Sequence, residues 1–110
     1  MKYVKVNGQT YKPPCAVVID VDQVESDLIF GKVKDVYNIN GRPTLLVTLY
    51  KTKEYSKHFH AFIVTPTARN KAILVGNLFS PFPLHIRKCC TSSVTHTCIV
   101  VKHHILHTVQ

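Results

Sequence analysis

The clearest pattern along the chain is alternation of apolar and polar residues. Tyr3-Val4-Lys5-Val6 and Gln9-Thr10-Tyr11-Lys12 flank Asn7-Gly8. Asn-Gly supplies the two positive-φ positions of a type I′ turn, so this stretch predicts a β-hairpin. Pro13-Pro14 then breaks the strand and redirects the chain. Cys15 to Val21 is short, apolar and β-branched, the composition of a strand buried on both faces. Asp20, Asp22, Glu25 and Asp27 follow as an acidic stretch expected on a solvent loop. From Leu28 to Tyr37 the alternation is imperfect but closer to period two than to a helix, with Gly31 expected to mark a bulge. Asn40-Gly41 makes a second turn, and Thr44 to Tyr50 reads as a strand. Lys51 to Lys57 reads as a polar, basic loop. His58 to Val64 reads as the next strand, with His58, His60 and Phe62 on one face and Phe59, Ala61 and Ile63 on the other. Pro66 is expected to end it.

Beyond Pro66 the signals thin. Ala68 to Leu78 fits either a short helical turn or a strand, and Ser80-Pro81-Phe82-Pro83 reads as a rigid loop. Leu84 to Lys88 and Thr97 to Val101 read as the last strands, with Thr91-Ser92-Ser93 turning between them. The tail 102–110 carries His103, His104 and His107 and is expected to be partly flexible. About seven strands at roughly 8–12-residue spacing predict an all-β domain with at most one short helix. Short hairpins around one core favour a small, partly open SH3-like β-barrel. No repeat, heptad or polar linker divides the chain, so residues 1–110 are expected to form one domain.

Composition narrows the function classes. A chain of 110 residues that is 45% hydrophobic and 18% charged excludes a disordered protein and a large two-domain enzyme. No run approaches the ~20 apolar residues of a membrane span, and the alternating start reads as a strand rather than a signal peptide. The cysteines, Cys15, Cys89, Cys90 and Cys98, are expected to be reduced thiols of an intracellular protein, since adjacent Cys89-Cys90 suits disulfide geometry poorly.

Enzyme chemistry finds little support. Gly8, Gly31, Gly41 and Gly76 are dispersed, so no phosphate-binding glycine loop exists. No nucleophile elbow or carboxylate pair accompanies His58 and His60. Zinc wants four ligands offered as two close pairs. His103 and His107 lack a C-x2-C partner, while His96 and Cys98 make at most a half-site. No metal, no cofactor and no catalytic residue is therefore assigned.

Charge is the remaining signal. Fourteen Lys and Arg against six Asp and Glu give a formal net charge of +8, which favours polyanionic partners. The candidate patch joins Lys32 and Lys34, two apart on one strand, to Lys51, Lys53, Lys57 and His58 around the next loop. Tyr50 and Tyr55 interleave there, as base stacking or cation–π contact requires.

Val6-Asn7-Gly8-Gln9-Thr10-Tyr11 and Phe30-Gly31-Lys32-Val33 resemble the opening of bromo-adjacent-homology and related SH3-like chromatin modules. His58 to Phe62 through Lys102 to Leu106 looks like carboxy-terminal β-domains of transposon-derived vertebrate proteins. The resemblance implies a non-enzymatic interaction module, one piece of a larger nuclear protein, binding nucleic acid or a chromatin-associated, acidic protein partner. A second class is a protein–protein or oligomerisation domain without a nucleic-acid role, and a third, with the least support, is a Cys/His hydrolase or metal enzyme. The chain has no Trp, unlike methyl-lysine readers; Phe59, Phe62, Tyr50 and Tyr55 would form an aromatic cage only where their strands converge.

Overall fold

Both Asn-Gly pairs turn the chain as expected. Asn7 and Gly8 have φ of 49° and 82°, and Asn40 and Gly41 have 53° and 77°. The computed structural model describes residues 2–24, 27–91 and 94–100. The first turn joins β1 (Val4–Val6) to β2 (Gln9–Tyr11), and the second joins β4 (Leu28–Ile39) to β5 (Arg42–Ser56). The remaining strands are β3 (Ala16–Val21), β6 (Ala61–Leu74), β7 (Ser80–Leu84), β8 (Ile86–Thr91) and β9 (Val94–Ile99). A 3-10 turn over Val75–Asn77 is the one helical element among the described residues.

The fold is all-β. Strands β7-β3-β4-β5-β6-β9-β8 form one seven-stranded antiparallel sheet, curled into a partly open barrel. The sheet's two edges, β7 and β8, are joined through His85 alone. The barrel is thus closed at that corner by the covalent chain rather than by a ladder. Alternate residues of the strands point inward. Ala16, Val18, Leu28, Phe30, Phe62 and Ile99 build this inner core.

A second core lies where β4, β5 and β6 run on past the barrel. Val33, Val36, Leu45, Val47 and Ile73 bury one face of this extension together with Val17 and Ile19 from the outside of β3. The β1–β2 hairpin covers them with Val4 and Tyr11. Tyr11 is 1% exposed, and its hydroxyl donates to the Pro81 carbonyl, tying the hairpin to β7. The extension explains the elongated shape, 46 × 29 × 26 Å.

Several local expectations are corrected. Lys51 to Ser56 is not a loop but the continuation of β5, paired with β6 down to Ser56↔Ala61. His58 does not open a strand. Residues 57–60 form the β5–β6 turn, with His60 at φ 52° and the Phe59 N–H donating to Ser56 Oγ at 3.2 Å. His58, His60 and Phe62 therefore share no strand face. Pro66 does not end its strand, which runs to Leu74 before the 3-10 turn. Ser80 to Pro83 belongs to β7; prolines are tolerated there because β7 is an edge strand with no partner beyond it among the described residues. Within the acidic stretch, Asp20 lies on β3 and is exposed, while Asp22 and Asp27 are half-buried; Glu25 lies outside the described residues. The tail 102–110, its three histidines and the Ser92-Ser93 turn lie outside them too.

Gly31 is not a bulge. It pairs regularly with Val17 on one side and Leu49 on the other. A Cβ at this position would stand 2.7 Å from Ile19 Cδ1 and 3.0 Å from Val47 Cβ. The Ile19 methyl can swing away, but Val47 Cβ is fixed to its backbone. Gly31→Ala is therefore expected to lower stability by about 1–3 kcal/mol through overpacking, read as a reduced urea midpoint at unchanged slope. The bulge on β4 falls at Lys34, where Val33↔Val47 is followed by Asp35↔Leu46. That extra residue lets Val33 and Val36 face the same core, and it takes Lys34 out of the row that holds Lys32. Lys32 and Lys34 thus do not share a face in the simple way their spacing predicts.

Candidate basic groove

A concavity with three cationic side chains opens beside the β3–β4 connection, where β5 and β6 are both irregular. Thr48 pairs with Asn70 and Tyr50 with Pro66, so Leu49 faces a bulge at residues 67–69 of β6. Thr67 holds this bulge in shape. Its hydroxyl donates to the Leu49 carbonyl at 2.8 Å and accepts from the Arg69 N–H at 3.2 Å. The Leu49 carbonyl thus gains a side-chain partner, and Arg69 is fixed at the rim. One step along, Thr52↔Val64 is followed by Glu54↔Ile63, leaving Lys53 as the extra residue of a second bulge. Between them Thr52 is buried and donates its hydroxyl to the Leu28 carbonyl at 2.6 Å.

These irregularities bring Lys51, Lys53 and Arg69 around two adjoining depressions of about 250 and 540 Å³ that share Asp27, Lys51, Thr52 and Thr67. Leu28, Ile29, Leu49 and Tyr50 supply the apolar wall of the smaller one. Asp22 and Asp27 line the β3–β4 side. The groove is therefore divided: cations on the β5–β6 bank, carboxylates on the opposite bank. An anionic strand would lie along the first and be kept from the second. The Thr52 and Thr67 hydroxyls are committed to backbone carbonyls, so the charged groups of the lining are the three cationic side chains and the two carboxylates.

Of the eight residues singled out in the sequence, Lys51 and Lys53 line this groove with Tyr50. Tyr50 is 8% exposed and packs in the inner core, so its ring face is not open for stacking. Tyr55 meets Phe62 edge-on at 5.0 Å, with part of its ring exposed. Lys57 and His58 lie in the exposed β5–β6 turn, where His58 packs against Phe59 at 4.9 Å. Lys32 pairs with Thr48 on the opposite face of the sheet, and Lys34 is the exposed bulge residue. The patch expected as one face is divided over two faces and a turn. Arg69 was hidden from the sequence because Pro66 reads as a stop three residues before it. The four candidate cage aromatics do not converge: Phe62 and Tyr50 are core, and Phe59 packs on the outside of β6 with Ala61, Ile63, Cys89 and Cys98.

Neither Cys15 nor Cys98 has the character of a nucleophile. Cys15 shares an open groove with His85, but burial pushes its thiol above the ordinary range, the reverse of what a nucleophile needs. Cys98 is fully buried against Cys89, and burial followed by the Cys89 contact pushes it up to about 11. Among the described residues no three His, Cys, Asp or Glu side chains gather around a common metal position. The Cys98 shift has a pH consequence. The folded state holds this proton more tightly than the unfolded chain, whose thiol titrates near 9.0. The stability it contributes is intact below pH 9 and is lost as pH rises toward about 11. Urea midpoints should fall across that window, and the fall should be shallower in Cys98→Ala.

No family model, no curated protein and no solved structure matches this chain.

Proposed function

We propose that this domain is a non-enzymatic interaction module that binds nucleic acid through the basic bank of the β5–β6 groove. The observation that carries the reading is that Lys51, Lys53 and Arg69, from two bulged strands, line two adjoining depressions in a chain of net charge +8. A phosphate backbone offers negative charge at regular spacing, and lysine and arginine side chains on a rigid sheet meet it without ordering a loop. Lys57 and His58 add exposed polar groups in the β5–β6 turn that follows. The sequence likeness to SH3-like chromatin modules supports the same reading, and the proposal extends to a nuclear location as one piece of a larger protein. The groove's cations bind by charge, so a non-specific Kd of about 1–100 μM is expected at physiological salt. The test is fluorescence anisotropy of a labelled 12-nucleotide oligomer at low salt, with an uncharged peptide nucleic acid of the same sequence as control. Binding of the first and not the second is the expected result; binding of neither overturns the reading.

A second reading, a protein-binding or oligomerisation domain with no nucleic-acid role, draws on the other edge of the sheet. Strand β8 is six residues long, contains no proline and has no partner on its outer side among the described residues. Concentration-dependent sedimentation with no oligonucleotide binding would favour it.

A further inference from the structure

The extension of β4, β5 and β6 packs one of its faces into the second core; the register defines the other, on which Thr44 is buried and Leu46 and Leu74 are half-buried. Tyr37, Thr44 and Leu74 stand in one row across the three strands, Asp35, Leu46 and Ala72 in the next, and Lys32, Thr48 and Asn70 in the third. Two side-chain bonds agree with this placement. Thr48 Oγ1 meets Asn70 Oδ1 at 3.0 Å, and the Tyr37 hydroxyl donates to Asp35 Oδ2 at 3.0 Å. Tyr37, Ile39, Leu46 and Leu74 belong to neither of the two main cores, and Tyr37 and Ile39 are 41% and 52% exposed. Ile39, Arg42, Thr44 and Leu74 line a shallow depression of about 460 Å³ at the far end.

We infer that this open face is a base-stacking platform for single-stranded nucleic acid, a surface separate from the basic groove. Size limits the occupant. Three strands at ~4.8 Å spacing, over the six steps from Arg42 to Thr48 at ~3.4 Å each, give a face roughly 14 by 20 Å. That is under half of the ~800 Å² per partner that a stable dimer buries, so a second copy of the chain is too large an occupant for the area. Charge selects the chemistry. Cationic Arg42 and Lys32 stand at the two ends, while Asp35, the one carboxylate of this face among the described residues, is held by the Tyr37 hydroxyl and the Val36 N–H. An extended strand carrying negative charge and flat apolar groups fits that arrangement: phosphates at the ends, bases on Tyr37 and the aliphatic floor of Leu46 and Leu74. A duplex does not fit, because its base faces are already stacked on one another.

The inference rests on the nucleic-acid reading, and its test separates the two. Affinities are measured for a single-stranded 12-mer and for an abasic 12-mer of equal charge. The wild-type protein is expected to bind the first at least tenfold more tightly, since stacking on an aromatic side chain is worth several-fold to a hundredfold per base. In Tyr37→Ala that preference should collapse while abasic binding is unchanged. In Lys51→Glu both should weaken together and the preference should survive. Methyl resonances of Leu46 and Leu74 should move on adding the intact oligomer and stay still on adding the abasic one. Equal affinity for the two oligomers in the wild type would overturn the platform and leave the groove standing. No binding of either would overturn both. Movement of the same methyls with protein concentration alone would replace the platform with a self-association surface.

Discussion

Reversing three charges, Lys51→Glu, Lys53→Glu and Arg69→Glu together, is expected to weaken oligonucleotide binding on the order of a hundredfold or more, which takes a micromolar non-specific complex out of range. The three side chains stand on one bank of a groove whose other bank carries Asp22 and Asp27. After reversal, five carboxylates would face the ligand. All three positions are exposed, so circular dichroism and thermal unfolding should be close to those of the parent. The matched control is Lys2→Glu, Lys5→Glu and Lys12→Glu, which changes net charge by the same amount at exposed positions in and around the β1–β2 hairpin. It should weaken binding only several-fold. If both triples weaken it equally, the whole-molecule field rather than the groove is responsible.

The largest effect on stability is expected at Tyr11. This ring is 1% exposed and fills the second core between the β1–β2 hairpin and the sheet, while its hydroxyl serves the Pro81 carbonyl on edge strand β7. Large-to-small replacement of a buried aromatic lowers stability by about 3–5 kcal/mol, a large share of the 5–15 kcal/mol that holds a small domain together. Tyr11→Ala should therefore unfold at a far lower urea concentration than the parent. Tyr11→Phe keeps the packing and removes only the hydrogen bond, so it should lose about 1 kcal/mol. A Tyr11→Ala variant of unchanged midpoint would mean that the hairpin is an ornament on the sheet rather than the lid of its second core.

How far the sequence reveals this molecule depends on whether a residue signals its own backbone. Asn7-Gly8 and Asn40-Gly41 do, because both residues of each pair tolerate positive φ, and the hairpins stand where those pairs predict. Strand β3 is legible because Ala16 to Ile19 are apolar on both faces and each face meets its own core. The β5–β6 turn is not. His60 takes positive φ without glycine or asparagine to announce it, so the alternation of its neighbours reads as strand. The end of β5 is disguised by Lys53: one extra residue shifts the phase between Thr52 and Tyr55 and makes a strand look like a polar loop. Pro66 and Pro81 mislead for a related reason. One stands at the margin of a bulge and the other on an edge, places where a missing N–H breaks no ladder. The basic residues were legible as a class, and their partition was not. Whether Lys32 joins Lys51 depends on which side of the sheet each occupies. Lys51 pairs with Thr65, while Lys32 lies in the Thr48–Asn70 row on the other side.

The central claim, that the groove engages phosphate, is tested most directly by the salt dependence of affinity. Anisotropy titrations of the single-stranded 12-mer from 25 to 200 mM salt yield the slope of log K against log salt. Three cationic side chains in contact with phosphates of a single strand predict a slope of about −2, at ~0.7 per contact. The Lys51, Lys53 and Arg69 reversal should flatten whatever residual binding remains. A slope near zero, with affinity unchanged across that range, would contradict the account.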